Sequence, residues 1–196
     1  MNIILGSGSP RRKSILEGIF GSVQVISPSV DESQLNNEMA EDYAGRITHL
    51  KMDAVISGLN HQENCCIITS DTIVSVDETI LGKPESEKEA SSMLRLLSGK
   101  EHFVITGICI VLKNGNEFER FYGCEKTSVK FKMLNDEIIK KYLNLVNYTD
   151  KAGSYAIQEY GELIVESVSG SITNVIGFPL RLFFQMINNI GISVFF

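Results

Sequence analysis

The residues able to do chemistry in this chain are carboxylates and cations gathered where apolar runs break. The stretch GSGSPRRKS, residues 6–14, separates a short buried strand expected over Asn2 to Leu5 from Ile15, Leu16, Ile19 and Phe20, which recur at helical spacing with Gly21 placed to end the helix. Ser9 reads as the N-cap and Pro10 as the first helical residue. Such a strand, glycine-containing turn and helix start aims backbone N–H groups and the positive dipole end at one point, where an anion can sit. A Walker loop and GxGxxG both fail, because each needs glycine where Arg11 stands. Arg11, Arg12 and Lys13 supply positive charge there instead, able to grip phosphate oxygens. On these residues alone the segment is either a phosphate site or a plainly capped surface helix.

Further along, the acidic pair Asp31 and Glu32 precedes a predicted helix whose apolar residues are Met39, Tyr43, Ala44, Ile47, Leu50 and Ala54. Lys51 falls beside that face, either as a lysine with a buried stem or as an ammonium directed into a cleft. Residues 65–69 form a dense apolar strand expected to end in Ser70, Asp71 and Thr72, and an aspartate closing a buried strand is a usual place for site chemistry. A second strand, a turn at Asp77 and Glu78 and a third strand lead to Gly82, Lys83 and Pro84. Arg11, Arg12, Lys83 and Lys151 suit a polyphosphate. The hard oxygens of Glu32 and Asp71 suit Mg²⁺ or Mn²⁺ rather than zinc. The sequence contains no G-x-S-x-G elbow, H-E-x-x-H or kinase signature, and His49, His61 and His102 have no ligand spacing and are read as solvated or structural. The chemistry implied is metal-assisted attack on a phosphate.

The elements that must position these groups read as a mixed α/β arrangement. A helix from Ser86 carries Ala90, Met93, Leu94 and Leu97 and stops at Gly99; strands over 103–112 and 117–131 meet at Asn114-Gly115, a strong hairpin signal. A helix over 136–145 capped by Asn135 follows. A loop-like segment then presents Lys151, Gly153, Tyr155 and Gln158, and a last helix from Pro179 turns Leu182, Phe183, Met186 and Ile187 inward. Strands, hairpins and helices interleave irregularly, so the sheet is expected to be mixed. With 196 residues, 43% of them hydrophobic, the chain suffices for one sizeable core or two lobes sharing a sheet, and no linker, repeat or low-complexity tract divides it. A single domain over 1–196 is expected. No apolar run suggests secretion or membrane spanning, which makes the cytoplasm the expected location. A formal net charge of −6 argues against nucleic acid as partner, despite the Ser-Pro-Arg-Arg run. Cys65, Cys66, Cys109 and Cys124 have no C-x-x-C spacing and are expected to be buried thiols.

In order and spacing, GSGSPRR, VDES, the helix bearing Lys51, SDTIV, LGKP, LLSGKEHFVITG, KAGSYAIQ and GSITNVIGFPL resemble the Maf family of nucleoside triphosphate pyrophosphatases over nearly the whole chain. The resemblance implies an elongated α/β fold, a mixed sheet flanked by helices in two lobes with a central cleft, related to the inosine-triphosphate pyrophosphatases. It implies hydrolysis of a nucleoside triphosphate to the monophosphate and pyrophosphate with a divalent metal, in a homodimer. Matched residue by residue, Asp71 takes the place of the family's proton acceptor and Glu32 of its second acid, both facing the metal. Ser7, Arg11 and Arg12 match the phosphate-facing loop; Lys51, Lys83 and Lys151 match cationic positions, with Lys83 grouped with the two acids in catalysis. Arg11, Thr72 and Gln158 look like the dTTP/UTP branch, Gln158 matching the glutamine on the base side. Its amide offers a donor and an acceptor suited to a thymine or uracil edge. Gly6, where the family more often has alanine, is read as a turn glycine, and Phe178 as a packing exchange within GFP. The family's association with arrest of septum formation leaves an alternative: a nucleotide-sensing regulator of cell division without significant turnover.

Overall fold

The computed structural model describes residues 1–59 and 64–192, so the reading of His61 lies outside the described residues. In chain order it contains β1 (Asn2–Gly6), α1 (Pro10–Phe20), β2 (Gln24–Val25), α2 (Ala40–Ser57), β3 (Cys65–Val76), β4 (Thr79–Leu81) and α3 (Glu87–Leu97). There follow β5 (Glu101–Asn114), β6 (Glu117–Phe131), α4 (Asp136–Leu145), β7 (Val165–Ser169), α5 (Ile172–Ile176) and α6 (Leu180–Asn189). The strands form one seven-stranded sheet in the order β2-β1-β3-β5-β6-β7, with β4 paired to β3. β1 runs parallel to β2 and β3, whereas β4 and β7 run antiparallel to their neighbours β3 and β6. The mixed α/β class expected from the irregular interleaving is what the chain adopts.

Two compact units divide the chain, one of Met1–Asp71, Thr106–Glu125 and Gly177–Phe196, the other of Thr72–Ile105 and Lys126–Ile176. In the first unit the strands are apolar on both faces. Ile3, Leu5, Cys66, Ile68, Ile108 and Ile110 face one way, with Leu16 of α1 and Phe183 and Ile187 of α6. The alternate residues Ile4, Cys65, Ile67, Cys109 and Val111 face the other way, with Met52 and Val55 of α2. This period of two, doubled by cover on each side, is why the strands read as continuous apolar runs. In the second unit α3 and α4 contribute Leu94, Leu97, Ile139 and Tyr142 to a core with Val129 and Phe131 of β6.

Local signals placed several boundaries correctly. Gly21 ends α1 at φ 78°, and Asn135 Oδ1 accepts the Ile138 amide at 2.9 Å to start α4. Ser86 Oγ accepts the Glu89 amide at 3.2 Å, while Glu89 returns a carboxylate oxygen to the Glu85 N–H at 2.8 Å, a reciprocal cap.

Other expectations are corrected. β3 does not end at Asp71: it runs on to Val76, because β4 pairs with residues 74–76 just beyond the stretch that β1 pairs. Gly6 is no turn glycine. It lies in β1, and a Cβ there would stand 2.5 Å from Thr69 Cγ2 and 2.8 Å from Val55 Cγ2. Ser9 holds the N-cap position without a side-chain cap bond. The buried stripe of α2 is Tyr43, Ala44, Ile47, Thr48, Lys51, Met52 and Val55, with Met39 and Leu50 exposed, so Lys51 belongs to the stripe rather than to its margin. Cys124 is exposed on β6, whose residues alternate in burial there; the other three thiols are buried.

Candidate functional site

The first unit brings five of the expected residues into one cluster. Its foundation is Arg12, on the first turn of α1 and buried because α1 packs Leu16 into the core beneath it. The guanidinium donates from Nε to Gly177 O at 2.9 Å, and from Nη1 to Ser70 O at 2.6 Å and Ser7 Oγ at 3.0 Å. Ser7 Oγ also accepts the Ser9 amide at 3.3 Å, so this one hydroxyl shapes the turn between β1 and α1. Burial lowers the pKa of the Arg12 guanidinium from its ordinary value, and the charges of Asp71 and Glu32 work against that shift. Arg12 is thus a fixed positive charge spent on holding three backbone segments beside the carboxylates. Arg11, next to it, is half-buried and adds a second charge felt by Arg12.

Above this foundation the two acids meet one ammonium. Lys51 Nζ lies 2.5 Å from Asp71 Oδ1 and 2.8 Å from Glu32 Oε1, with Lys51 and Asp71 buried and Glu32 on an exposed loop. Both readings of Lys51 have a counterpart here, a buried stem and an ammonium turned toward carboxylates. Its stem is enclosed by the α2 stripe and its tip is held by two carboxylates.

The loop that carries Glu32 is tied to α2 by Tyr43, which the sequence marks only as an apolar position, and by Arg46, for which it carries no signal. Tyr43 donates its phenol to Glu32 O at 2.8 Å, and burial, followed by the charges of Asp71 and Glu32, pushes its pKa up to about 12, so it remains a neutral donor. Arg46 grips Glu38 through both carboxylate oxygens, at 2.6 and 2.8 Å, and reaches Ser33 O at 2.9 Å. Asp31 Oδ1 accepts both the amide and the hydroxyl of Ser33, which lowers its pKa. Tyr43 and Arg46 stand three apart on one helix, a spacing that could have flagged the two as a pair. Ser70 O and Gly177 O are backbone groups for which the sequence carries no signal.

The second unit holds the remaining candidates. Lys83 is exposed in the loop after β4, and Gly82 O in the same loop accepts the Gly153 amide at 3.0 Å, which joins the LGKP and KAGSYAIQ segments. Gly153 has φ 67°, and a Cβ there would lie 2.9 Å from Val74 Cγ2, so glycine is required twice over. The expectation that this loop presents polar tips holds for Gln158, which is exposed. Lys151, Gly153 and Tyr155 are buried. Lys151 is held by Asp150 at 2.8 Å, Glu159 at 3.5 Å and the Asn147 carbonyl. Tyr155 reaches inward to His102 Nε2 at 2.9 Å, and the Tyr142 phenol donates to Ala156 O at 3.1 Å and accepts its amide at 3.0 Å. Thr72 follows Asp71 directly on β3 and is partly buried. His102 is structural, as expected, and half-buried His49 stacks on Tyr122 with ring centroids 4.8 Å apart.

Among the described residues no group of three or more His, Cys, Asp or Glu side chains could hold a metal ion by itself, and no helix is long and apolar enough to cross a membrane. Glu32 and Asp71 nevertheless fit one. Two hard carboxylate oxygens already converge on a cation, and Mg²⁺ is commonly held by one or two carboxylates with water and substrate phosphates completing its six ligands.

An α/β architecture of this kind is found in the solved Ham1 protein of Staphylococcus aureus, at a TM-score of 0.51 and 15% identity, covering 96% of this chain and 99% of that one. The likeness at that identity speaks of the fold alone. The sequence model of Maf-like protein matches residues 2–190, and the chain belongs to that family. Relatives include proteins named dTTP/UTP pyrophosphatase from Pyrococcus abyssi, 42% identical over 94% of both chains, and from Clostridioides difficile, 42% identical over 92% of this chain and 90% of that one. Another of that name, from Porphyromonas gingivalis, is 40% identical over 97% of this chain and 95% of its own.

Proposed function

We propose that this chain is a nucleoside triphosphate pyrophosphatase that cleaves dTTP and UTP to the monophosphate and pyrophosphate in the cytoplasm, as a homodimer. The observation that carries the proposal is the convergence of Glu32 and Asp71 on Lys51 beside the buried Arg12. Anion binding alone needs cations; two carboxylates at the same place suit turnover, because burying the charge of Asp71 costs free energy unless it is paired. The kinship with proteins named dTTP/UTP pyrophosphatase supports the substrate class.

In this reading water adds to the α-phosphorus and the bond from that phosphorus to the bridging oxygen breaks, releasing pyrophosphate. Asp71 orients the water and takes its proton. Lys51, Arg11, Lys83 and Lys151 stabilise the charge that builds on the leaving group, and Ser7 and Arg12 hold the phosphate-facing loop in shape. A divalent cation, Mg²⁺ or Mn²⁺, held by Glu32 and Asp71, would supply polarisation of the phosphate oxygens. Gln158 and Thr72 serve the base and its surroundings.

The test is pyrophosphate release over a panel of dTTP, UTP, CTP, GTP and ATP with and without Mg²⁺. Turnover is expected with Mg²⁺ and highest for dTTP and UTP. Nucleotide binding with no turnover of any member would return the chain to the sensing reading.

A further inference from the structure

Lys51 occupies the place that the proposed chemistry would give to a metal. Its ammonium stands 2.5 Å from one carboxylate and 2.8 Å from the other, so a dication ligated by both would have to share that space with a positive charge. Lys51 also lacks the usual retreat. An exposed lysine would swing its ammonium into water, but this residue is 8% exposed and its stem lies in the buried stripe of α2. Leaving the carboxylates therefore requires another anionic partner.

The local charge points the same way. Glu32 and Asp71 bring two negative charges, and Lys51 and Arg12 bring two positive ones, with Arg11 adding a third that Arg12 feels. The cluster at rest has no excess negative charge with which to draw in a free dication. It does have the charge to draw in a polyphosphate. The protein also offers too few ligands for tight binding of the ion alone, since among the described residues no third acidic, His or Cys side chain joins the pair.

We propose that Lys51 is a resident counter-ion that keeps Glu32 and Asp71 closed to free divalent cations and yields them only when a triphosphate arrives to take the ammonium. Metal and nucleotide then enter as one unit, and the carboxylates are not occupied idly between turnovers. The proposal rests on the reading of these carboxylates as metal ligands, and adds to it an order of binding.

The experiment uses Mn²⁺ alone as probe, with free ion counted by electron paramagnetic resonance on the full chain. The unmodified protein is expected to bind Mn²⁺ weakly, Lys51→Met at least tenfold more tightly, and Lys51→Arg, which keeps the charge, as weakly as the unmodified protein. Mn²⁺ affinity that is unchanged or weaker in Lys51→Met overturns the proposal. Should Lys51→Met fail to fold, Lys51→Gln keeps a donor for the carboxylates without the charge, and the same tightening is expected and the same result decides. Failure of the underlying reading is seen separately: absence of UTP turnover by the unmodified protein with Mg²⁺ would remove the enzyme assignment, whatever the Mn²⁺ titration gives.

Discussion

Asp71 and Arg12 are both buried and charged, yet they fail in different ways when removed. Asp71→Asn keeps the shape and loses the charge that faces Lys51, so the variant is expected to fold and to lose about 10²- to 10⁴-fold in turnover. Steady-state kinetics beside a thermal melt checks both halves; near-normal turnover with an intact fold sinks the role. Arg12→Ala instead strips the donor from Ser70 O and Gly177 O, and each buried acceptor left unsatisfied costs about 1–3 kcal/mol. A loss of at least about 2 kcal/mol in denaturant unfolding is expected. Arg11→Ala is expected to change stability by less than about 0.5 kcal/mol, as surface substitutions usually do. It should weaken UTP binding roughly tenfold, the size of one charge-assisted hydrogen bond. The sequence showed the charges of Arg11 and Arg12 but not this division of labour, since adjacent residues on a helix point in different directions and only the packing of α1 decides which one is enclosed.

Among the elements, the loop over 151–158 and the strand β5 beneath it share a buried histidine. His102 is enclosed against Phe131 and Tyr155, and burial pulls its pKa down to about 4 from an ordinary 6.5. Between pH 6.5 and about 4 the unfolded chain holds the proton and the folded chain does not, so stability rises with pH across that window and is lost as pH falls through it. At about 1.4 kcal/mol per pH unit the loss reaches roughly 3 kcal/mol by pH 4. Denaturant titrations at pH 7 and 4.5 are expected to show it, and His102→Gln is expected to flatten the slope; an equal slope in the variant would exclude His102 as its source. What was legible at this scale was local. The caps at Ser86 and Asn135 and the stop at Gly21 are fixed by nearby backbone groups, and such chemistry is written in neighbouring residues, whereas the hairpin turn falls at Gly115 and Asn116, one position later than read. The end of β3 was not legible, because Ser70, Asp71 and Thr72 look like a terminus, yet the strand continues through them beside β5 to the residues that pair with β4. The burial of Lys151 was not legible either, since the loop that begins with it is tied down by Gly82, Tyr142 and His102.

For the whole molecule, a net charge of −6 over 196 residues sets what it attracts at long range. Duplex DNA is expected to show no binding by fluorescence anisotropy at about 0.15 M salt, where non-specific binders reach roughly 10⁻⁴–10⁻⁶ M; saturable binding in that range would revive the Ser-Pro-Arg-Arg arm. Nucleotide preference is the other expectation at this scale. A site built to bond one base edge rejects bases that leave its groups unpaired, so Gln158→Ala is expected to narrow the kcat/KM ratio of UTP over GTP at least tenfold. An unchanged ratio would move base recognition elsewhere. The Arg12 tie has one more consequence, for how the chain comes to be folded as it is made. Its acceptor Gly177 lies 165 positions after it, and α6, which closes the first core with Phe183 and Ile187, comes later still. The second unit is complete once Ile176 has been added, whereas the first still waits for Gly177 and α6. Synthesis therefore delivers the finished unit second in name but first in time, and Arg12 and Leu16 remain without these partners until residues 177–187 have been added.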